Sequence, residues 1–386
     1  MNNIEINISR LNYLLGLFNL TKEELLSLIS QGLKNPIKES DVFEGNIKLS
    51  HLKKIDNIFK KGLQFYVDPE VPIELPEASV FFRKQKFNSE LNLGARKIVN
   101  AFEEEKISLS ALAKLSDLKI DRKLPVFKLK DNPKEVSIYI RDRVYPTFNR
   151  NLKEFLKAFI GNLAEFNILV FEFVETWNKK EKANIDGFYL SPNAIILKRQ
   201  QKSFRREIFT LAHELGHFLL EEEEIESISY QEIYTDSVNS LERWCNDFAY
   251  FFLIGDLDKE IKKIISASSE NDYFNDLIEN IKNKTHLSKL ALYTRLLLEK
   301  RISPKDYNII REEEEDLARK KVNEENRRKE QDKALGIKRE GRSPKPIKSP
   351  LFIKTIQAAF IEGVINETEF CKKLNIKPKQ LAAYQL

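Results

Sequence analysis

The chain has 386 residues, 42% of them hydrophobic, and is well beyond the length at which a single core is efficient, so two or more folding units are expected. Its two cysteines, Cys245 and Cys371, lie far apart and exclude a disulfide framework or a cysteine-rich zinc module. The balance of 64 Lys and Arg against 59 Asp and Glu leaves a net charge of +5 spread over many groups, and this alone does not indicate a nucleic-acid binder. No apolar run approaches the roughly 20 residues that span a bilayer, and no secretion-signal layout precedes the first helix, so a cytoplasmic protein with no membrane partner is expected.

Residues 1–65 read as a helix-turn-helix-like helical domain. It runs through "SRLNYLLGLFN", "TKEELLSLI" with Thr21 as N-cap and Glu24 at the capping-box position, and "KLSHLKKIDNIFKK". Where a recognition helix would lie, "KNPIKESDVFEGN" carries Pro36, a glycine and three acidic residues, which offer few donors to bases or phosphates. DNA contact through these helices is therefore weakly supported. Residues 66–148 form a link and connector: Pro69, Pro72 and Pro76 predict an extended stretch. Residues 88–117 predict a helix whose apolar face is Leu91, Leu93, Ile98, Phe102, Ile107, Leu109, Leu112 and Leu115.

Over residues 149–300 the pattern changes. A helix, "NRNLKEFLKAFIGNLAEF", precedes a strand, "NILVFEFVE", and two short runs in "DGFYLSPNAIILK" are parted by the turn-forming pair Pro192 and Asn193, predicting a small antiparallel sheet. Two apolar helices follow, one over 204–220 and one from about 238 to 254. Residues 301–349 are a charged helix and linker whose mixed signs read as a solvated surface in preference to a nucleic-acid contact, and residues 350–386 return to helical periodicity.

The first of those helices, "FRREIFTLAHELGHFLL", places His213 and His217 at i and i+4, so both imidazoles can turn toward one ion. Glu214 sits beside such an ion without binding it, placed to accept a proton from water the ion activates. A catalytic zinc takes three protein ligands and keeps one position open. The third must come from another element, and in "SLERWCNDFAYFFLI" the core-facing stripe leaves Glu242 and Asn246 one turn apart on its border. Glu242 is the chosen third ligand, with Asn246 hydrogen-bonding a histidine or a nearby backbone group. Competing carboxylates are Glu221 to Glu224, Glu226, Asp236 and Asp247. The glutamate run follows His217 too directly to fold back and reads as a solvated face. Cys245 reads as a small buried residue. Gly216 costs roughly 1 kcal/mol of helix propensity, a cost that close approach by another backbone would explain.

With "FRREIFTLAHELGHFLL" followed by "ERWCNDFAYFFL", the chain resembles the ImmA/IrrE family of zinc metallopeptidases, and "IDGFYLSPNAIILK" is similar to that family's hairpin. The N-terminal helices and proline-rich link resemble an Xre-like helix-turn-helix unit. The resemblance implies a mostly α fold with a small antiparallel sheet (α+β), in which a zincin-like metallopeptidase domain is flanked by helical regions. It implies one Zn²⁺ on His213, His217 and Glu242, with Glu214 as general base and another divalent metal as an option. It further implies a protein substrate, a repressor or antitoxin-type regulator, in stress-response transcription. An extended substrate could add a strand beside residues 187–198 and be held at Gly187, Phe188 and Tyr189. Tyr230 and Tyr234, between the metal helices, read as surface or packing residues. The rival reading is a DNA-binding or protein-binding transcription regulator with a non-catalytic metal site.

Overall fold

The computed structural model describes residues 3–18, 20–70, 91–174, 182–199, 203–223, 240–337 and 345–384. Tyr230, Tyr234, Glu224, Glu226, Asp236 and most of the proline-rich link lie outside these residues. The chain forms two compact units, one of residues 1–105 with 180–184 and the other of 106–179 with 185–386.

In the first unit, α1 (Ile8–Leu17), α2 (Lys22–Ser30) and α4 (Leu49–Phe59) follow the predicted periodicity. The Thr21 hydroxyl and the Glu24 carboxylate each accept the other's backbone N–H, the reciprocal box that the sequence predicts at the start of α2. Leu11, Leu14, Leu25, Val42, Ile47 and Ile55 make the core, and Phe18 packs on Phe59 with ring centroids 5.1 Å apart. The stretch expected to hold a recognition helix forms only the four-residue α3 (Ser40–Phe43). After it comes Gly45, whose φ of +88° suits a residue without a Cβ, and the chain enters β2 (Asn46–Lys48), paired antiparallel with β1 (Asn3–Glu5). A short α5 (Leu63–Val67) follows.

Helix α6 (Leu93–Leu115) crosses the boundary between the units. Two residues expected on its apolar face are exposed, Ile107 at 53% and Leu115 at 67%. The buried stripe of its second half is Leu109, Leu112 and Ala113; two residues of offset turn a side chain about 200° around a helix, so Ile107 points away from it.

The second unit is built on α7 (Pro133–Val144), α8 (Leu152–Glu165) and a three-stranded sheet of β3 (Leu169–Val174), β4 (Gly187–Leu190) and β5 (Ala194–Arg199). The fold is mostly α with small sheets, as expected. The hairpin β4–β5 is antiparallel, with Phe188 opposite Ile196. The strand order is β3-β5-β4 and β3 pairs parallel to β5, Leu169 opposite Ala194, so the larger sheet is mixed where a purely antiparallel one was expected. Its central strand, "AIILKR", is buried almost throughout, which is why it reads as a continuous apolar run without alternation. Helix α9 (Phe204–Leu220) lies on β4 and β5 and packs on its other side against α10 (Ser240–Ile254), which in turn meets α7.

Beyond them come α11 (Asp258–Ile261), α12 (Asn275–Lys284), α13 (Lys289–Leu298), the solvated α14 (Pro304–Ala334), α15 (Pro350–Ile361) and α16 (Glu367–Leu374). No helix among the described residues is long and apolar enough to cross a membrane.

His286 is a structural histidine of this unit. It is fully buried, stacked on Phe155 with centroids 3.5 Å apart; its Nε2–H donates to the Asn149 carbonyl at 2.9 Å, and its Nδ1 accepts the Tyr145 hydroxyl at 3.2 Å. Burial pulls its pKa down from 6.5 to about 4, against the help of the Asn149 carbonyl. The folded value lies below the unfolded one, so this stabilisation is complete above pH 6.5 and is lost as the pH falls toward 4. It amounts to about 3 kcal/mol at most. Urea unfolding at pH 7 and pH 4.5 is expected to show the advantage of the native chain over His286→Gln shrinking at the lower pH; an unchanged difference would refute the assignment.

Candidate metal centre

Helix α9 opens with Ser203, whose hydroxyl accepts the Arg206 N–H, and closes at Glu221 in the left-handed conformation, φ +56°. Every residue from Thr210 to Leu220 is buried, so the helix carries its histidines inside the protein, not along a wet face. Across from it, α10 buries Leu241, Glu242, Trp244, Cys245 and Phe248. The two helices touch at Gly216. A Cβ there would sit 3.2 Å from Cys245 Cα and 3.1 Å from its Sγ, so the missing methyl lets the backbones approach to the separation at which a side chain from α10 reaches the histidines.

That side chain is Glu242. Its Oε2 lies 3.0 Å from His213 Nε2 and its Oε1 3.1 Å from His217 Nε2, while the two Nε2 atoms are 3.1 Å apart. His213, His217 and Glu242 are the one group among the described residues whose donor atoms converge within metal-binding range, and all three are buried.

The far side of each ring settles what the near side offers. His213 Nδ1 faces the Asn246 side-chain oxygen at 3.1 Å, and His217 Nδ1 faces the Glu222 carbonyl oxygen at 3.1 Å. Both partners are acceptors, so each Nδ1 carries the proton and each Nε2 turns a lone pair toward the carboxylate. With both rings neutral, three electron-rich atoms thus converge in a buried space, an arrangement that needs a cation or a shared proton between them. Burial opposes charge on His217 and Glu242, yet their neighbours prevail. Without an ion that positive charge is a proton: Cys245 and Glu242 hold His217 well above the ordinary histidine value, the two imidazoles hold Glu242 below the usual carboxylate range, and a bound metal ion would displace the proton. Two imidazole nitrogens and one carboxylate are a donor set of catalytic zinc, and the residues fit that ion. Burial pushes the Cys245 thiol up to about 11, and Cys245 is not among the side chains whose donor atoms converge.

Asn246→Ala is expected to leave the fold intact and to weaken zinc binding by about 10–100-fold, because His213 loses the partner that fixes its tautomer. Competition titration against a chromophoric chelator measures this, and an unaltered affinity would show that Asn246 does not orient the ring.

Glu214 lies beside the three donors. Its Oε2 is buried with no hydrogen-bond partner, and burial pushes its pKa up to about 7, with His217 and His213 opposing and Glu242 and Asp186 adding to the rise. Its Cγ would lie 3.3 Å from a Cβ at Gly187, so the first residue of β4 runs directly against the glutamate. Phe188 and Tyr189, expected to meet substrate with Gly187, have fully buried side chains, and Tyr189 packs edge-on against Phe218. Only their main chain is available.

Of the competing carboxylates, Asp247 pairs with Arg295 at 2.7 Å and is engaged away from the histidines. The glutamate run is not uniformly solvated: Glu221 and Glu222 are exposed, but Glu223 is buried and accepts the Ser191 N–H at 2.7 Å. The left-handed Glu221 turns the chain back on itself, which is how the Glu222 carbonyl reaches His217. A backbone carbonyl has no residue-type signature, so sequence reasoning had no signal by which to find it.

Residues 165–297 match the Peptidase M78 family model, the IrrE N-terminal-like domain. The matched segment holds the three-stranded sheet, both metal helices and all four residues described above. It supports a metallopeptidase domain of the ImmA/IrrE type within the chain, and with it a divalent metal, typically zinc, and a protein substrate. No curated protein and no solved structure matches the chain significantly.

Proposed function

We propose that the chain is a zinc-dependent endopeptidase that cuts a regulatory protein of the repressor or antitoxin type. The observation that carries the reading is the convergence of His213 Nε2, His217 Nε2 and the Glu242 carboxylate, with the partnerless carboxylate of Glu214 at their side. The two histidines and Glu242 would hold the ion. A zinc so held supplies Lewis acidity, polarising the scissile carbonyl and acidifying water. Asn246 and the Glu222 carbonyl keep both imidazoles in the tautomer that binds. Glu214 takes the proton of the attacking water on its free Oε2 and returns it to the leaving amide nitrogen. Beside it, β4 pairs only with β5 among the described residues, so its other edge can take an extended substrate through backbone hydrogen bonds.

Three protein ligands among the described residues, where a structural zinc usually has four, favour catalysis over a purely structural ion. The regulatory nature of the substrate rests on the resemblance to ImmA/IrrE peptidases. Comparing the proteomes of cells expressing the native chain and Glu214→Gln tests it: one regulator newly cleaved only with the native chain is expected. Identical proteomes under every stress applied would defeat the proposal.

A further inference from the structure

A cavity of about 370 Å³ opens in the second unit between the later half of α6, the β4–β5 turn and the start of α15. Its floor is apolar and well packed: Leu109, Ala113, Leu169 and Leu351 are each buried. Lys106, Lys114 and Lys119 line it together with a single acidic residue, Asp117. An apolar floor disfavours a fully hydrated inorganic ion, and three ammonium groups disfavour a cation. The complementary ligand is an apolar body bearing one acidic group, and the volume lies at the small end of the range for organic ligands.

The cavity is tied to the metal helix by consecutive hydrogen bonds. The Lys106 ammonium donates to the Ser191 carbonyl, and the Ser191 N–H donates to the Glu223 carboxylate at 2.7 Å. The preceding residue, Glu222, supplies the carbonyl that fixes His217 Nδ1. One residue along the same turn, Pro192 lines the cavity and its carbonyl accepts the Tyr189 hydroxyl at 2.9 Å; the Tyr189 ring meets Phe218, the neighbour of His217. An acidic ligand would compete with the Ser191 carbonyl for Lys106 and so loosen the turn that holds Glu223.

We propose that this cavity binds a small amphiphilic anion, and that its occupancy weakens the grip of His217 on the metal through Ser191 and Glu223. The binding half stands independently of the peptidase reading, and the coupling half rests on the metal centre described above. Coupling between two sites is reciprocal, so whatever factor the ligand imposes on zinc affinity, zinc imposes on the ligand.

Calorimetric titration of decanoate into the full chain, metal-free and zinc-loaded, tests both halves. One decanoate per chain is expected, with decylammonium of equal length about tenfold weaker or worse. Ala113→Trp, which fills the floor, should abolish binding, and the surface change Lys114→Glu should weaken it about fivefold. Decylammonium binding as tightly as decanoate, or decanoate affinity unchanged in both variants, overturns the site. Zinc loading should weaken decanoate by about fivefold or more in the native chain, and Glu223→Ala should erase that difference. Equal or tighter affinity with zinc present overturns the coupling. A chain that binds decanoate but no zinc sinks the metal centre and the coupling with it, leaving the anion site standing.

Discussion

Glu214→Gln is expected to lower peptide cleavage by about 10²–10⁴-fold while zinc stoichiometry stays that of the native chain. Glutamine matches the volume of glutamate and leaves the packing against Gly187 undisturbed, and it makes no contribution to the ligand set. What it removes is the proton acceptor. Burial pushes the Glu214 carboxyl up to about 7 in the metal-free site, which favours the protonated form that returns a proton, and a neighbouring divalent cation would favour the ionised form that takes one up. Rates on a cleaved peptide, measured together with metal content by atomic absorption, decide the matter. Turnover at the native rate with full zinc would exclude Glu214 as the base, and loss of zinc would show that it holds the metal.

The second large effect is expected at Glu242. Replacing it by alanine removes one of three donors and the one negative charge among them, leaving two neutral imidazoles to hold a divalent ion in a buried site. Zinc affinity should fall by more than the roughly 10–100-fold that the loss of an orienting partner costs, and cleavage should disappear with it. Equilibrium dialysis against buffered zinc gives the affinity directly. Retention of tight, equimolar zinc in Glu242→Ala would mean that another side chain completes the site, and the arrangement proposed here would have to be abandoned.

The parts of this site that were legible in the sequence are those set by local periodicity. Spacing of four residues on one helix dictates that His213 and His217 share a face, and the apolar stripe of α10 leaves Glu242 and Asn246 together on its border. The hairpin announced itself through Pro192 and Asn193. What escaped reading depends on non-local pairing or on the main chain. Nothing in "NILVFEFVE" states that β3 will run parallel to β5, because its partner lies beyond an intervening strand. Glu223 looked like one more solvated glutamate, since the Ser191 amide that buries it is 32 residues away. The apolar face drawn for α6 was too wide, as it took every aliphatic residue as core when Ile107 and Leu115 turn outward.

Strand β4 leaves a final consequence. Its side chains from Phe188 to Leu190 are wholly enclosed, so a guest laid along the edge that no described strand pairs with would meet little there beyond a row of amides and carbonyls common to every polypeptide. Selection at that edge would depend on conformation more than on letters: a tightly folded neighbour has no bare ribbon to offer, whereas a frayed loop or a hinge between modules does. Choice of victim would then lie largely with the victim, and a regulator would become vulnerable by coming loose.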